Sequence, residues 1–329
     1  MSQVFAFAVG IAHTNSNGEV LDCLFPQPFL RPAGEAAHAA EQFAAGTQTV
    51  TPDEVSSKAS TVVPSTLLEY DQPLTVVRLD ADEAISSTAE AYLKLHLLSH
   101  RLTLPNTLNL DGIFAHLPNL AWTSAGPVEA DKLGDALIAA RIKGEHLEVM
   151  SIDKFPKMVN YVMPSGVRIA DASRIRLGAY LGDGTTVMHE GFVNFNAGAI
   201  GPNMVEGRIS QGVIIDEGTD LGGSSSTMGT LSGGGNITIT LGKNCLIGAN
   251  AGTGIPLGDR CTIEAGLYIT AGTVVSLVDE TGEEVRKVKA RELAGGSDML
   301  FIRNSQNGQV LCRTNRQAIE LNEALHAHN

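Results

Sequence analysis

Glu206 and Arg208 stand two residues apart in the stretch Met204-Val205-Glu206-Gly207-Arg208, within a region poor in charged side chains. A carboxylate partly withdrawn from water there can take a proton from an attacking ammonium, or can itself attack an acyl group. The plainer alternative is a surface ion pair, which contributes little. His189, the only histidine between Asn160 and Glu280, is the rival base. A single histidine falls short of the roughly three protein ligands that zinc-hydroxide chemistry takes. The remaining charges of this region, among them Glu190, Asp216, Glu217, Asp220 and Glu264, read as solvated turn residues. Residues 221–235, LGGSSSTMGTLSGGG, offer backbone N–H groups unobstructed by side chains, suited to an oxyanion or an extended acyl chain, although a flexible loop has the same composition. Arg286, Lys287, Lys289, Arg291 and Arg303 gather late in the chain, where a phosphate could meet them or where they form a solvated face.

The elements that must position these groups are announced by a six-residue beat. Ile169, Ile175, Leu181, Val187 and Val193 recur at that spacing, and the beat returns at Ile215 and Leu221, at Leu241 and Ile247, and at Leu257, Ile263, Ile269 and Val275. A helix repeats near 3.6 residues and a strand near 2, so a period of six requires short parallel strands laid in turn on the faces of a prism. The expected fold is mainly β, a left-handed parallel β-helix of hexapeptide repeats with an N-terminal α/β domain and a small C-terminal segment. Glycine often follows the aliphatic residue, as in Leu181-Gly182 and Ile247-Gly248, where the chain turns between faces. A Gly-rich β-sandwich with accidental spacing is the competing architecture. Breaks in the beat read as loops pushed out of the coil. Glu206 then falls at the end of the loop after Val193, and loops on a rigid scaffold are where catalytic residues tend to sit.

The expected division is 1–155 for the N-terminal domain, 156–283 for the coil and 284–329 for a C-terminal hairpin and helix, with the first boundary between Met150 and Pro164. A helix is expected over 80–102, with Asp80, Asp82 and Glu83 at its positive end, and a second over 131–143. The segment after Leu277 is charged and turn-like, a hairpin should turn at Asn307-Gly308, and 314–327 should be helical. Cys23, Cys245, Cys261 and Cys312 lack metal-ligand spacing, so neither disulfides nor zinc is expected. A net charge of −13 argues against nucleic acid and anionic membrane partners. No apolar run approaches the roughly 18 residues that span a bilayer, and the N-terminus lacks a leader pattern, so a cytoplasmic location is expected.

The motifs VMHEGFVNFNAGAIGPNMVEGRIS, MGTLSGGG, LIGANAG and EAGLYITAGT closely resemble the tetrahydrodipicolinate N-succinyltransferase family, in its longer form, over 153–305. The resemblance implies transfer of succinyl from succinyl-CoA to the amine of L-2-amino-6-oxopimelate, the open form of tetrahydrodipicolinate, by a homotrimer with active sites between neighbouring coils. It implies that Glu206 is the catalytic glutamate, as general base or as acyl-anhydride nucleophile, and that Arg208 contacts succinyl-CoA. Gly223, Ser226, Ala249, Glu264, Ala265, Gly272, Lys289, Ile302, Arg303, Asn304 and Ser305 match other positions lining the succinyl-CoA site. Members can hold magnesium on the trimer axis with an aspartate and a glutamate. Here Glu190 matches the glutamate but Ser173 replaces the aspartate, so weak or absent magnesium binding is expected. Arg174, Arg176, Arg208, Asn194 and Asn196 are candidate partners for the dicarboxylate acceptor. The competing functions are a coiled acyltransferase with another donor or acceptor, and a non-catalytic trimeric scaffold.

Overall fold

The computed structural model describes residues 4–232, 237–279 and 281–313, in two compact units, Met1–Met163 and Pro164–Asn329. In the first unit the apolar runs at either end of the early sequence become neighbours. Ala6–Thr14 lies between Val20–Leu24 and Leu74–Leu79, and Gly46–Val50 pairs with the far side of Leu74–Leu79, all antiparallel. Phe7 and Val9 pack with Val76, Ala39 and Val55 in one core, against the helices Glu35–Glu41 and Pro52–Ala59. Helix Thr88–Ser99 is buried along nearly its whole length, from Ala89 to Ser99.

That helix is shorter than its apolar pattern suggests. It starts at the N-cap Ser87, whose side chain accepts from the Glu90 N–H, while the Glu90 carboxylate accepts from the Ser86 N–H at 2.8 Å. Residues 80–87 are outside the helix because Asp82 is occupied elsewhere: its carboxylate accepts from the Lys94 ammonium at 2.7 Å and from the Asn109 N–H at 2.8 Å. Burial all round also explains a polar residue inside the helix. His96 donates from Nδ1 to the Tyr92 carbonyl at 2.7 Å and accepts the Phe25 N–H at Nε2, and burial lowers its pKa to about 3. A smaller antiparallel sheet, Gly126–Glu129, Leu120–Thr123 and Val149–Asp153, completes the unit, and the helix Leu133–Ile142, with no buried residue, connects two of its strands.

The second unit is a left-handed parallel β-helix. Its first face stacks Arg168–Ile169, Thr186–Val187, Met204–Val205, Asp220–Leu221, Leu246–Ile247, Thr262–Ile263 and Leu300–Phe301. The second stacks Phe192–Val193, Arg208–Ile209, Ser226–Thr227, Gly252–Thr253 and Tyr268–Ile269. The third stacks Ala179–Leu181, Ala197–Ala199, Ile214–Ile215 and Thr240–Leu241. The last residue of each strand points inward, and each buried Val, Leu or Ile there contributes about 1.5–3 kcal/mol.

The beat does not stop at Val193. Ala199 and Val205 carry it on, the first hidden in the sequence because a methyl group fills the inward position. Thr227 and Thr253 hold two further inward positions, their hydroxyls donating to the carbonyls of Arg208 and Ile255. The chain after Val193 is therefore coil and not an extruded loop. The Gly/Ser run also divides: Gly222–Ser225 turn a corner and Ser226–Thr227 form a strand, so the inserted loop begins only at Met228.

The strands expected to form a separate C-terminal segment belong to the coil unit. Leu300–Arg303 adds to Thr262–Ile263 in parallel and forms a hairpin with Val310–Arg313, which in turn pairs with Val274–Val278. The segment expected to be turn-like contains the strand Glu284–Lys289, antiparallel to Val274–Val278. A coil ends in a row of unpaired N–H and C=O groups, and these strands satisfy it. The helix expected over 314–327 lies outside the described residues.

Candidate active site

Neighbouring rungs turn from the first face to the second in one of two ways. Inward residues flanking the corner are six apart in Val187/Val193, Leu221/Thr227, Ile247/Thr253 and Ile263/Ile269, but four apart in Val205/Ile209. The rung of Glu206 and Gly207 is thus two residues short, and the edge of the prism is notched there.

Gly207 makes the short corner feasible. A Cβ at this position would lie 2.1 Å from Ser225 Oγ and 2.7 Å from the Ser225 carbonyl oxygen. The strand order continues through the notch, with Arg208 N–H donating to the Ser225 carbonyl at 2.8 Å and Glu206 N–H to the Leu221 carbonyl at 2.8 Å. Gly207→Ala should therefore cost about 1–3 kcal/mol of coil stability and displace Glu206, lowering kcat along with the denaturation midpoint. Ser225→Ala in the same chain should recover part of both losses, because the nearest obstacle is its hydroxyl. A Gly207→Ala protein as stable and active as the parent would refute this account.

Glu206 is half-buried at the notch, with Oε2 3.7 Å from where a Gly223 Cβ would be. It forms no ion pair with Arg208 among the described residues, since Arg208 has already entered the second face and is exposed beside Ser226. His189 and Glu190 sit on the same corner, one rung earlier.

The later rungs of this edge carry Gly223, Ala249, Glu264 with Ala265, and Ile302 with Arg303. Successive links tie them: Ser224 N–H to the Glu206 carbonyl at 3.1 Å, Asn250 N–H to the Gly223 carbonyl at 2.8 Å and Gly266 N–H to the Ala249 carbonyl at 2.8 Å. Glu264 then accepts the Arg303 N–H at 2.7 Å. Gly248 permits this stacking, because a Cβ there would lie 2.5 Å from the Ala265 nitrogen. The N–H groups of Gly223, Ala249 and Ala265 donate to no acceptor among the described residues. They form a row of three open donors over about 10 Å, two strand spacings of a parallel ladder.

A second group forms at the end of the coil. The carbonyls flanking Gly272 accept from the helical turn after Lys289: Ala271 from the Arg291 N–H at 3.1 Å and Thr273 from the Ala290 N–H at 2.8 Å. Asn304 and Ser305 occupy the hairpin turn beyond Arg303, and Asn304 Oδ1 accepts the Gln306 N–H at 2.9 Å. The late basic residues are not one cluster, since Lys287 lies 3.9 Å from Glu284 while Lys289 and Arg291 are at Gly272 and Arg303 at Glu264.

Of the acceptor candidates, Arg174 is committed to the backbone, donating to the carbonyls of Glu190 at 2.8 Å and Gly191 at 3.3 Å. Arg176 lies over the Phe192 ring and donates to Asn194 Oδ1 at 3.1 Å. The Ser173 hydroxyl donates to Asp171 Oδ1 at 2.6 Å, and this bond together with the Ser173 N–H lowers the Asp171 pKa. Gly207 and Ser225 escape sequence reading. Their signal, a corner of four residues where others have six, emerges only once Ala199 is recognised as part of the beat.

A three-faced parallel coil with a carboxylate in a notched corner and a row of open amides beside it defines a hexapeptide-repeat transferase. Residues 238–271 match the hexapeptide repeat of succinyl-transferase, and residues 117–157 match the middle region of tetrahydrodipicolinate N-succinyltransferase. Proteins named 2,3,4,5-tetrahydropyridine-2,6-dicarboxylate N-succinyltransferase are 57% identical in Pseudomonas aeruginosa, with 100% of both chains covered, and 49% identical in Vibrio cholerae, with 99% of both covered. A Campylobacter jejuni crystal structure, described provisionally as a 2,3,4,5-tetrahydropyridine-2-carboxylate N-succinyltransferase, superposes with a TM-score of 0.85 at 30% identity, over 96% of this chain and 94% of that one. The chain belongs to the tetrahydrodipicolinate N-succinyltransferase family. The likeness includes the N-terminal half, which the sequence motifs leave uncovered.

Proposed function

We propose that this protein transfers the succinyl group of succinyl-CoA to the amine of L-2-amino-6-oxopimelate, the open form of tetrahydrodipicolinate, in diaminopimelate and lysine biosynthesis. The observation that carries the reading is the full-length similarity to enzymes named for that transfer. The notched edge supports it chemically. The amine nitrogen adds to the thioester carbon, and Glu206 takes the proton that the nitrogen loses. The oxyanion receives the open N–H of Gly223, then collapses to the amide and expels CoA as thiolate. Arg208 and Ser226, adjoining Glu206 on the second face, are suited to the succinyl carboxylate. The open amides of Ala249 and Ala265 continue the row past Gly223, suited to the amide groups of the pantetheine arm. Lys289 beside Gly272, and Arg303 with Ile302, Asn304 and Ser305, supply cations and donors for the nucleotide end.

The working unit is proposed to be a homotrimer in the cytoplasm. Met204 and Leu246 stand outward on the first face, 38% and 44% exposed on either side of Asp220, apolar positions that closed rotational symmetry would bury in every copy. No helix among the described residues is long and apolar enough to cross a membrane. For magnesium the fit is poor: the Ser173 hydroxyl is bonded to Asp171, so Glu190 is the one carboxylate each chain would bring, half the charge of an aspartate and glutamate set. No step above uses a metal.

Thiol release from succinyl-CoA, with and without tetrahydrodipicolinate, tests the function. The expected result is release that requires the acceptor, with acetyl-CoA a much poorer donor because it leaves a site cation unpaired. Release that continues over many turnovers without acceptor, or none with this acceptor, would overturn the reading.

A further inference from the structure

We propose that the first unit carries a second small-ligand site, a cleft that binds a carboxylate with an apolar body through His13 Nε2. The proposal does not depend on the activity assigned to the coil, since every residue in it belongs to Met1–Met163.

His13 and Asp22 face each other across the antiparallel strands Ala6–Thr14 and Val20–Leu24. Asp22 is 4% exposed, and both of its carboxylate oxygens are occupied. Oδ1 accepts from His13 Nδ1 at 2.6 Å and from the His13 N–H at 3.3 Å, while Oδ2 accepts from the Tyr161 hydroxyl at 2.5 Å. A carboxylate fixed by three donors fixes the imidazole in turn, so Nδ1 is spent and Nε2 faces away from Asp22. The His13 side chain is nonetheless 60% exposed. Nε2 lies 3.9 Å from the position of a Gly126 Cβ, where the missing side chain leaves the ring uncovered.

The space in front of the ring is a cleft of about 230 Å³, with Ile11, Leu24, Trp122, Pro127 and Met150 among its walls. Its polar groups are mostly committed. Trp122 Nε1 donates to the Asp153 carbonyl at 3.0 Å, and the Thr123 hydroxyl to the Gly126 carbonyl at 2.7 Å. His13 Nε2 therefore stands at the end of an apolar space and, with the Nδ1 hydrogen held by Asp22, donates there when the ring is protonated. The bond to Asp22 raises the His13 pKa, which favours the protonated ring with a hydrogen on Nε2. A cationic donor beside apolar walls selects a compact organic carboxylate over a neutral molecule of the same shape.

Trp122 is the single tryptophan of the chain and lines the cleft, so its emission reports occupancy directly. The full-length protein is titrated with cyclohexanecarboxylate, and in parallel with cyclohexanecarboxamide, neither of which absorbs with the indole. The expected result is a saturable change with the acid, about tenfold or more weaker with the amide and with His13→Gln, one broken charge-assisted bond corresponding to roughly that factor. Gln at this exposed position can still donate to Asp22, so the fold survives. Saturating CoA should leave the acid titration unchanged. A titration without saturation, equal binding of acid and amide, equal binding by His13→Gln, or competition by CoA would each overturn the proposal.

Discussion

Replacing Glu206 by Gln lowers kcat by about 10²- to 10⁴-fold, the range set by loss of a positioned proton acceptor, with the affinity for CoA nearly unchanged. The substitution is close in shape, and Glu206 is half-buried at an open corner, so the coil should fold as before. Stopped-flow release of thiol separates the chemistry from binding. If Glu206 acts only as base, no thiol appears until the amine is added, in parent or variant. A single-turnover release by the parent without acceptor, abolished in Glu206→Gln, would mean that the carboxylate attacks the thioester and forms an anhydride first. A Glu206→Gln variant with full kcat would remove Glu206 from the reaction and shift the role to His189, one rung away on the same corner.

The second large effect is on stability. Lys94→Met should cost the first unit about 3–5 kcal/mol, because the ammonium is 1% exposed and holds three acceptors. It donates to Asp82 Oδ1 at 2.7 Å, to the Glu83 carbonyl at 2.6 Å and to the Asn109 carbonyl at 2.6 Å, joining helix Thr88–Ser99 to the segments on either side of it. Methionine fills the volume of the stem but leaves a carboxylate and two carbonyls without their donor. Amide exchange of the helix measures this locally: protection should fall by about 10²- to 4 × 10³-fold, tenfold for each 1.4 kcal/mol. Lys94→Met combined with Asp82→Asn should recover part of the loss, since the uncompensated charge is then gone. Unchanged protection in Lys94→Met would show that the network contributes nothing net.

Both predictions rest on residues whose neighbours are distant in sequence, and here the sequence is unevenly informative. Isoleucine, leucine and valine at a spacing of six announce the coil, since no helix or ordinary strand returns to one face with that period. Where an inward position holds Ala199, Thr227 or Thr253, the announcement fails. A methyl group or a hydroxyl bonded to a backbone carbonyl fits the interior as well as an aliphatic chain does, yet carries no hydrophobic signature. Glu206 therefore reads as the end of a loop, whereas it occupies a contracted corner. In the first unit the apolar run around Tyr92 suggests a longer helix because all sides of the helix are buried, so periodicity does not mark its start at Ser87.

Consecutive residues alone establish the repeating coil, the corner residues that carry charge and, through long motifs, the family. Repeat spacing and motifs are local properties of the chain, so they are legible without any knowledge of contacts. The folded arrangement was needed to bring Glu206, Gly223, Ala249, Ala265 and Arg303 onto one edge, to show that two missing residues notch it at Gly207, and to reveal that the final strands close the coil. It was needed equally for the meeting of His13, Asp22 and Tyr161. The physical reason is that stacking converts a position within each rung into a position along an edge, and the lengths of the intervening insertions cancel only when the rungs are laid on one another.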